Sequence, residues 1–426
     1  MFRRLLTLGE AQEIIRREIS LEPLSVEGVT LSKAFNRVLA TDMVSSLDIP
    51  PFNRSTVDGY AVRAKDTFRA RENRPSKLEI CGKANAGETS GAAVKKGTSV
   101  EIVTGAPIPS GADAVVMIED TDLHAHALDV YSPVSKWENI MKAGSDIRRG
   151  ETMLKEGTLL HSAEIGILAA AGIANVRVYT VPRVAVLSTG REVVRPGRKL
   201  LPGKIYDTNA YGLSAAIAES GGKSVNLGVV TDAMGVIQNA VRKGLASADL
   251  VVTSGGVSVG PKDLMPTVLN SLGKPGVIVS GIAIKPGKPV TIALIDGKMV
   301  FSLPGHPTSA LLVFHLIVQP VIRAMAGREP DESIWIKAFM ATRVFAAKGR
   351  RTFVMVRLNR DKQNRLMAEP VPTGLSGAIT TLARADGFVE IGEKEQFIDA
   401  GEEVKVRLLT AKPVNRICDL HQSELA

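Results

Sequence analysis

Cysteine is nearly absent from this sequence of 426 residues, which has only Cys81 and Cys418. They lie far apart, and neither sits in a CxxC or Cys/His cluster, so a disulfide framework, a zinc site and thiol redox chemistry are unsupported. Aromatic residues are also scarce, at 4%. No RNA- or DNA-binding motif accompanies the formal charge of +9, so the charge fits a small anionic ligand or a basic surface, and nucleic acid is not expected as a partner. No run of about 18 uninterrupted apolar residues is present, which argues against a membrane span. The opening stretch, "MFRRLLTLGEAQEIIRRE", lacks an apolar core followed by a small-residue cleavage site. A cytoplasmic protein is therefore expected.

The apolar fraction of 45% and charged fraction of 23% are ordinary for a globular chain, and the length favours two to four domains. Apolar residues at Leu8, Ala11, Ile14, Ile15 and Ile19 follow a helical period. The prolines of "SLDIPPFNRSTVDGYAV" break it, and glycine- and proline-rich β-like runs continue to about residue 134. In "HSAEIGILAAAG", Ser162 is an expected N-cap and Gly172 an expected stop. From residue 183 strands and helices alternate: strands at 183–189, 225–230, 249–254 and 277–284, helices at 211–219, 236–246, 264–272 and 309–326, and a hairpin at 290–303 turning at Asp296-Gly297. This alternation predicts a mostly parallel sheet covered on both faces. Beyond residue 330 the pattern turns to antiparallel strands. The expected division is an N-terminal/linker domain (1–46 plus 135–181), a β-rich insert (47–134), an α/β domain (182–330), a β domain (331–413) and a tail (414–426).

In a parallel sheet the strand-to-helix loops share one edge, where ligands bind. The loops predicted there are "STGRE" (188–192), "TDA" (231–233), "SGGVSVGPKD" (254–263) and "LPGHP" (303–307), with "KPGKP" (285–289) beside them. Glycines let backbone N–H groups approach an anion, Lys262, Lys285 and Lys288 offer positive charge, and Glu192, Asp232 and Asp263 are candidate Mg²⁺ ligands. The loop "GGVSVGPK" is not a Walker A motif, since Pro261 and Asp263 stand where that motif needs glycine and a hydroxyl. Elsewhere, "TVDGYAV" reads as a turn into a strand, "HAH" (124–126) offers only two potential metal ligands, and "KGRR" (348–351) reads as a solvated turn more readily than as an anion site.

From about residue 8 to 406, "PPFNRSTVDGYAVRAKDT", "IVTGAPIPSGADAVV", "GSDIRRGE", "RVAVLSTGREVV", "GKIYDTNAY", "LVVTSGGVSVG", "IKPGKP", "LPGHPTSALLVF" and "SGAITTLARADGFVEI" occur in one order. In these the chain resembles the molybdopterin molybdenumtransferase family (MoeA), relatives of the C-terminal domain of gephyrin. The resemblance implies a multidomain α/β protein: a three-layer molybdopterin-binding-like domain, a β-rich insert, a small helical linker domain and a C-terminal β-barrel-like domain. It implies that molybdate is inserted into adenylylated molybdopterin, with Mg²⁺-dependent release of AMP.

By motif position the resemblance implicates Asp58, Thr104, Glu192, Asp232 and Asp263 in catalysis, with the last three holding Mg²⁺. Ser254, Gly255, Gly256, Ser258, Lys285, Lys288, Pro304, Gly305, Pro307 and Ser376 would bind substrate. It also implies a homodimer whose sites combine the α/β rim of one chain with the "VDGYAV" insert of the other, and an upstream molybdopterin adenylyltransferase. The chain departs from the family pattern at Arg191, Ala233 and His306, and at Thr352 and Met355, which makes Arg350 and Arg351 weak site candidates. Tungstate is nearly isosteric with molybdate. Two alternatives are adenylyl transfer, which the α/β domain alone resembles, and a gephyrin-like docking scaffold; the flanking domains and the acids on the rim weigh against them.

Overall fold

The computed structural model describes residues 5–256, 264–329, 334–372 and 380–409. These form two compact units: residues 28–35 and 39–178 make one, and the N-terminal 27 residues, 36–38 and the chain from Tyr179 onward make the other.

The chain opens on helix α1 (Leu8–Glu18). Its start is a capping box: Thr7 Oγ1 accepts the Glu10 N–H at 3.2 Å, and the Glu10 carboxylate accepts the Thr7 N–H at 2.7 Å.

The smaller unit is built on six strands, β1 (Gly59–Val62), β2 (Ser76–Ala84), β3 (Thr98–Ile102), β4 (Ala114–Met117), β5 (Thr121–His124) and β6 (Ala127–Val130), in the order β4-β1-β3-β2-β6-β5. All pairings are antiparallel except β2 with β3. Strand periodicity divides the side chains between two cores. Tyr60, Val62, Leu78, Val116 and Leu128 fill one, while Ala61, Val100, Ile102 and Val115 fill the other. Gly59 follows from this packing: a Cβ there would stand 1.9 Å from the Val116 carbonyl oxygen. The unit also holds two short antiparallel ribbons, Arg54–Ser55 with Ile140–Met141 and Met43–Val44 with Thr152–Leu154, and helix α2 (Ser162–Ala170). Its N-cap is His161, not Ser162, because the Glu164 carboxylate accepts the His161 N–H at 2.9 Å and fixes the start one residue earlier.

The larger unit follows the predicted alternation: β7 (Arg183–Thr189), α3 (Asn209–Glu219), β8 (Lys223–Val230), α4 (Met234–Ser247), β9 (Leu250–Ser254), α5 (Met265–Asn270), β10 (Pro275–Ser280), β11 (Ile284–Lys285), β12 (Thr291–Ile295) and β13 (Lys298–Leu303). The sheet order is β8-β7-β9-β13-β12-β10. The first four strands are parallel, and β12 runs antiparallel to both neighbours. The β12–β13 hairpin turns at Asp296 (φ 48°) and Gly297 (φ 83°), the two positive φ values of a type I′ turn. The strand expected at 277–284 divides. β10 ends at Ser280, and β11 pairs instead with the C-terminal domain.

Helices α6 (Pro307–Val313) and α7 (Gln319–Met325) flank a π-helical stretch, Phe314–Val318. Proline explains the irregularity: Pro320 has no N–H for the carbonyl four residues back. That carbonyl, on Leu316, accepts the Gln12 side-chain amide of α1 at 3.1 Å. By length and composition the run Pro307–Met325 would cross a membrane, but 78% of its apolar window is buried in the protein, so it is a core helix.

The apolar face of α1 (Leu8, Ala11, Ile15) is buried in this α/β core. It does not stay with the linker region with which sequence pattern grouped it, because Leu6 bridges Ile282 and Gln12 bonds the core helix.

Strands β14 (Trp335–Met340), β15 (Arg351–Arg360), β16 (Leu366–Pro370), β17 (Gly387–Ile391) and β18 (Glu403–Leu408) pair in the ring β15-β16-β14-β18-β17, which closes through β15–β17 into a five-stranded barrel. Alternate residues such as Met340, Val356, Leu358, Val389 and Val406 fill its interior. Closure leaves no open edge among the five, although β11 adds to β15 from outside.

Candidate active site

The strand register places the predicted loops on one edge. Thr189 lies beside Val230, Ser188 beside Ser254, and Ser254 beside Leu303. On the far side Ser302 faces Thr291, which faces Ser280. The loops carrying Asp232, Glu192, Gly255-Gly256 and Pro304-Pro307, and the segment 285–289 between β10 and β12, therefore follow one another along the rim. It spans five inter-strand spacings, or about 24 Å. Lys285 is exposed and Lys288 partly so, and neither has an ion-pair partner among the described residues.

At the centre of the rim, hydrogen bonds tie three loops together. Asn209 Nδ2 donates to Ser254 Oγ at 2.6 Å and to the Gly305 carbonyl at 2.7 Å, while Ser254 Oγ donates to the Pro304 carbonyl at 3.3 Å. Beside them Asp207 Oδ1 accepts Ser188 Oγ and the Ala210 N–H, both at 3.0 Å, and so fixes the start of α3 against the end of β7. Gly255 and Gly256 both have positive φ, and a Cβ on Gly255 would come within 2.4 Å of the Thr189 carbonyl oxygen. Only glycine lets this turn lie so close to β7. Pro304 is buried, Pro307 opens α6, and His306 is its N-cap.

Among the described residues, three buried polar atoms on this rim lack a hydrogen-bond partner: Thr189 Oγ1, Asn209 Oδ1 and Asp232 Oδ1. Glu192 is exposed, and its carboxylate folds back to within 3.0 Å of where a Gly190 Cβ would stand. Among the described residues no three His, Cys, Asp or Glu side chains gather closely enough to hold a metal ion. Ser258, Lys262, Asp263 and Ser376 lie outside the described residues.

Asp58 and Thr104 belong to the other unit, where they meet directly. Asp58 Oδ1 accepts the Thr104 N–H at 2.6 Å and the Thr104 hydroxyl at 2.8 Å. These bonds, the backbone one foremost, hold the carboxyl below the usual aspartate range. Asp58 itself is exposed and acceptor-rich. His124 ends β5 and lies 3.8 Å from Asp129, while His126 sits in the β5–β6 turn, so the two do not line one strand face as a ligand pair. Arg351 is held by Glu390 (2.8 Å) and Glu393 (3.0 Å).

Thr189, Asp207 and Asn209 were not singled out by sequence reasoning, although they lie inside the quoted "RVAVLSTGREVV" and "GKIYDTNAY". The available signal was "DTN" directly before a predicted helix. Short polar residues there cap helix starts.

Comparison with known proteins gives matches along most of the chain. Residues 6–172 match the MoeA N-terminal region (domain I and II), 185–324 a probable molybdopterin binding domain, and 337–409 the MoeA C-terminal region (domain IV). The molybdopterin molybdenumtransferase of Haemophilus influenzae is 32% identical over 97% of this chain and 100% of its own length. That of Bacillus subtilis is 33% identical over 90% of each. A molybdopterin biosynthesis MoeA protein from Pyrococcus horikosii, solved by crystallography, superposes with a TM-score of 0.80 at 40% identity, covering 96% of this chain and 100% of its own.

Proposed function

The chain belongs to the molybdopterin molybdenumtransferase family, and from that membership we propose that it is an enzyme of molybdenum cofactor biosynthesis which inserts molybdate into adenylylated molybdopterin and releases AMP. The observation that carries this reading is the rim, where buried oxygens and lysines without partners among the described residues lie along one loop-lined edge. An extended substrate with a polar ring, phosphates and an oxyanion needs just that mixture.

Lys285 and Lys288 attract the oxyanion and the phosphates, since neither is neutralised by a carboxylate among the described residues. The Gly255–Gly256 turn lets the substrate approach the backbone closely, and Asn209 holds that turn against the Gly305 loop. Asp58, held toward its ionised form by Thr104, supplies an acceptor to the rim of a second subunit. Oxygen donors suit a hard cation, and the partnerless Asp232 oxygen with the exposed Glu192 fits Mg²⁺ in ligand chemistry; Asp263 would join them. Bound there, Mg²⁺ would neutralise phosphate charge and polarise a phosphoryl oxygen. The working form is a cytoplasmic homodimer, supplied by an upstream molybdopterin adenylyltransferase.

The test is incubation with adenylylated molybdopterin, Mg²⁺ and either molybdate or tungstate while AMP is followed. Oxyanion-dependent AMP release is expected. Release that ignores the oxyanion, or no release, would overturn the reading.

A further inference from the structure

Resting on the reading above, the geometry points to a more specific assignment: the floor beside the Gly255–Gly256 turn, formed by Thr189 and Asn209, reads the paired N–H donors of the pterin's aminopyrimidine edge and not a phosphate.

The Asn209 amide orientation is determined by its neighbours. The Gly305 carbonyl can only accept, so the atom 2.7 Å from it is Nδ2, and the amide oxygen is the one left over. Ser254 agrees: its hydroxyl proton goes to the Pro304 carbonyl, which leaves its oxygen to accept from Asn209. Among the described residues Asn209 Oδ1 and Thr189 Oγ1 are then both buried and unpartnered, on residues only 9% and 4% exposed. Both residues flank the same turn. The Cβ positions of Gly255 and Gly256 lie 3.0 and 2.9 Å from Thr189 Oγ1, and Gly255 Cα is 3.6 Å from the Gly305 Cβ position.

Burying a polar atom without a partner is costly, and folded proteins retain such atoms where something else completes them. The Asn209 amide oxygen only accepts, so what completes it must donate, and the Thr189 hydroxyl can accept a second donor beside it. A phosphate presents only acceptors and cannot complete the Asn209 oxygen, and the adjacent Gly255 N–H is committed to the Leu303 carbonyl at 3.2 Å. A 2-amino-4-oxopyrimidine edge presents an amino group next to a ring N–H, two donors side by side. Adenine presents one amino group flanked by ring nitrogens that only accept. The phosphates and oxyanion are then left to the lysine-bearing end of the rim, and the pterin lies toward its centre.

Thr189→Val is the cleanest test, since valine keeps the shape and removes only a hydroxyl without a partner among the described residues. Binding of 2-amino-4-oxopteridine and, separately, of AMP is measured by titration on the full-length protein, together with the melting temperature. Thr189→Val is expected to weaken pteridine binding about five- to tenfold, the effect of one lost hydrogen bond. AMP affinity should be unchanged and the melting temperature equal or higher, and Thr189→Ser should restore pteridine binding. The assignment is overturned if Thr189→Val binds the pteridine like wild type, or if AMP affinity falls instead. A melting temperature lowered by several degrees with pteridine binding intact also overturns it, by making the hydroxyl a structural or water-binding group. Wild type that binds neither compound would overturn the molybdopterin reading as well.

Discussion

Replacing Gly255 by alanine tests the turn on which the proposed site depends. Two costs can be worked from the structure. Gly255 has φ +90°, and forcing an L-residue into the left-handed region costs about 1–2 kcal/mol. The new methyl would also stand 2.4 Å from the Thr189 carbonyl oxygen, a backbone atom that cannot swing aside. Relieving such overpacking costs about 1–3 kcal/mol. Together they amount to about 2–5 kcal/mol against the rim. The control is Gly305→Ala in the facing loop, where the nearest atom to a new Cβ is 3.6 Å away and φ is not in the left-handed region; its cost should stay within about 0.5 kcal/mol. Thermal melts and urea titrations of both variants beside wild type provide the assay, with hydrogen exchange at 250–256 locating the change. Gly255→Ala should melt several degrees lower and exchange faster there, and Gly305→Ala should do neither. Equal melting of the two variants would refute the steric argument.

Thr104→Val removes one of the two bonds to the Asp58 carboxylate, so the Asp58 titration followed by NMR should move up toward 3.8; an unmoved titration would assign the lowering elsewhere. His315 is held below its ordinary 6.5, chiefly by burial and also by Arg407, while its bond to Gln319 works the other way. The unfolded chain therefore takes up a proton there before the folded one, so its contribution to stability is complete above pH 6.5 and declines as pH falls toward the lower folded value. His315→Gln should flatten melting temperature against pH between about 5 and 7, and an unchanged slope would exclude this residue. Gln12→Leu leaves the Leu316 carbonyl without its side-chain donor and should cost about 1 kcal/mol in a denaturant titration, whereas a neutral result would mean the π-helical stretch satisfies that oxygen alone. If each site is shared between subunits, mixing Asp58→Ala with Asp232→Asn homodimers should restore on the order of a quarter of wild-type activity, because half of random dimers are mixed and half of their sites carry no lesion. No recovery despite subunit exchange proven with a tagged chain would reject sharing.

Much of this protein is local in origin and is therefore legible in the chain itself. Alternating apolar runs and glycine-bearing loops from Arg183 to Leu303 specify strands, helices and a type I′ turn at Asp296-Gly297, and parallel strands bring their following loops to one edge. Helix and turn signals act over three or four residues, which is why "TLGE" caps α1 and "DTN" opens α3.

Tertiary structure decided what depends on segments meeting from a distance. Ile284 and Lys285 form a short apolar-basic pair with no local preference, and only their meeting with Arg351 and Thr352 at the start of β15 makes them a strand. The helix interrupted at Pro320 needs Gln12, 304 residues earlier, for the carbonyl of Leu316. The unpartnered oxygens of Thr189 and Asn209 have no signature in sequence at all, because whether a polar atom finds a partner depends on every neighbour that folding brings to it.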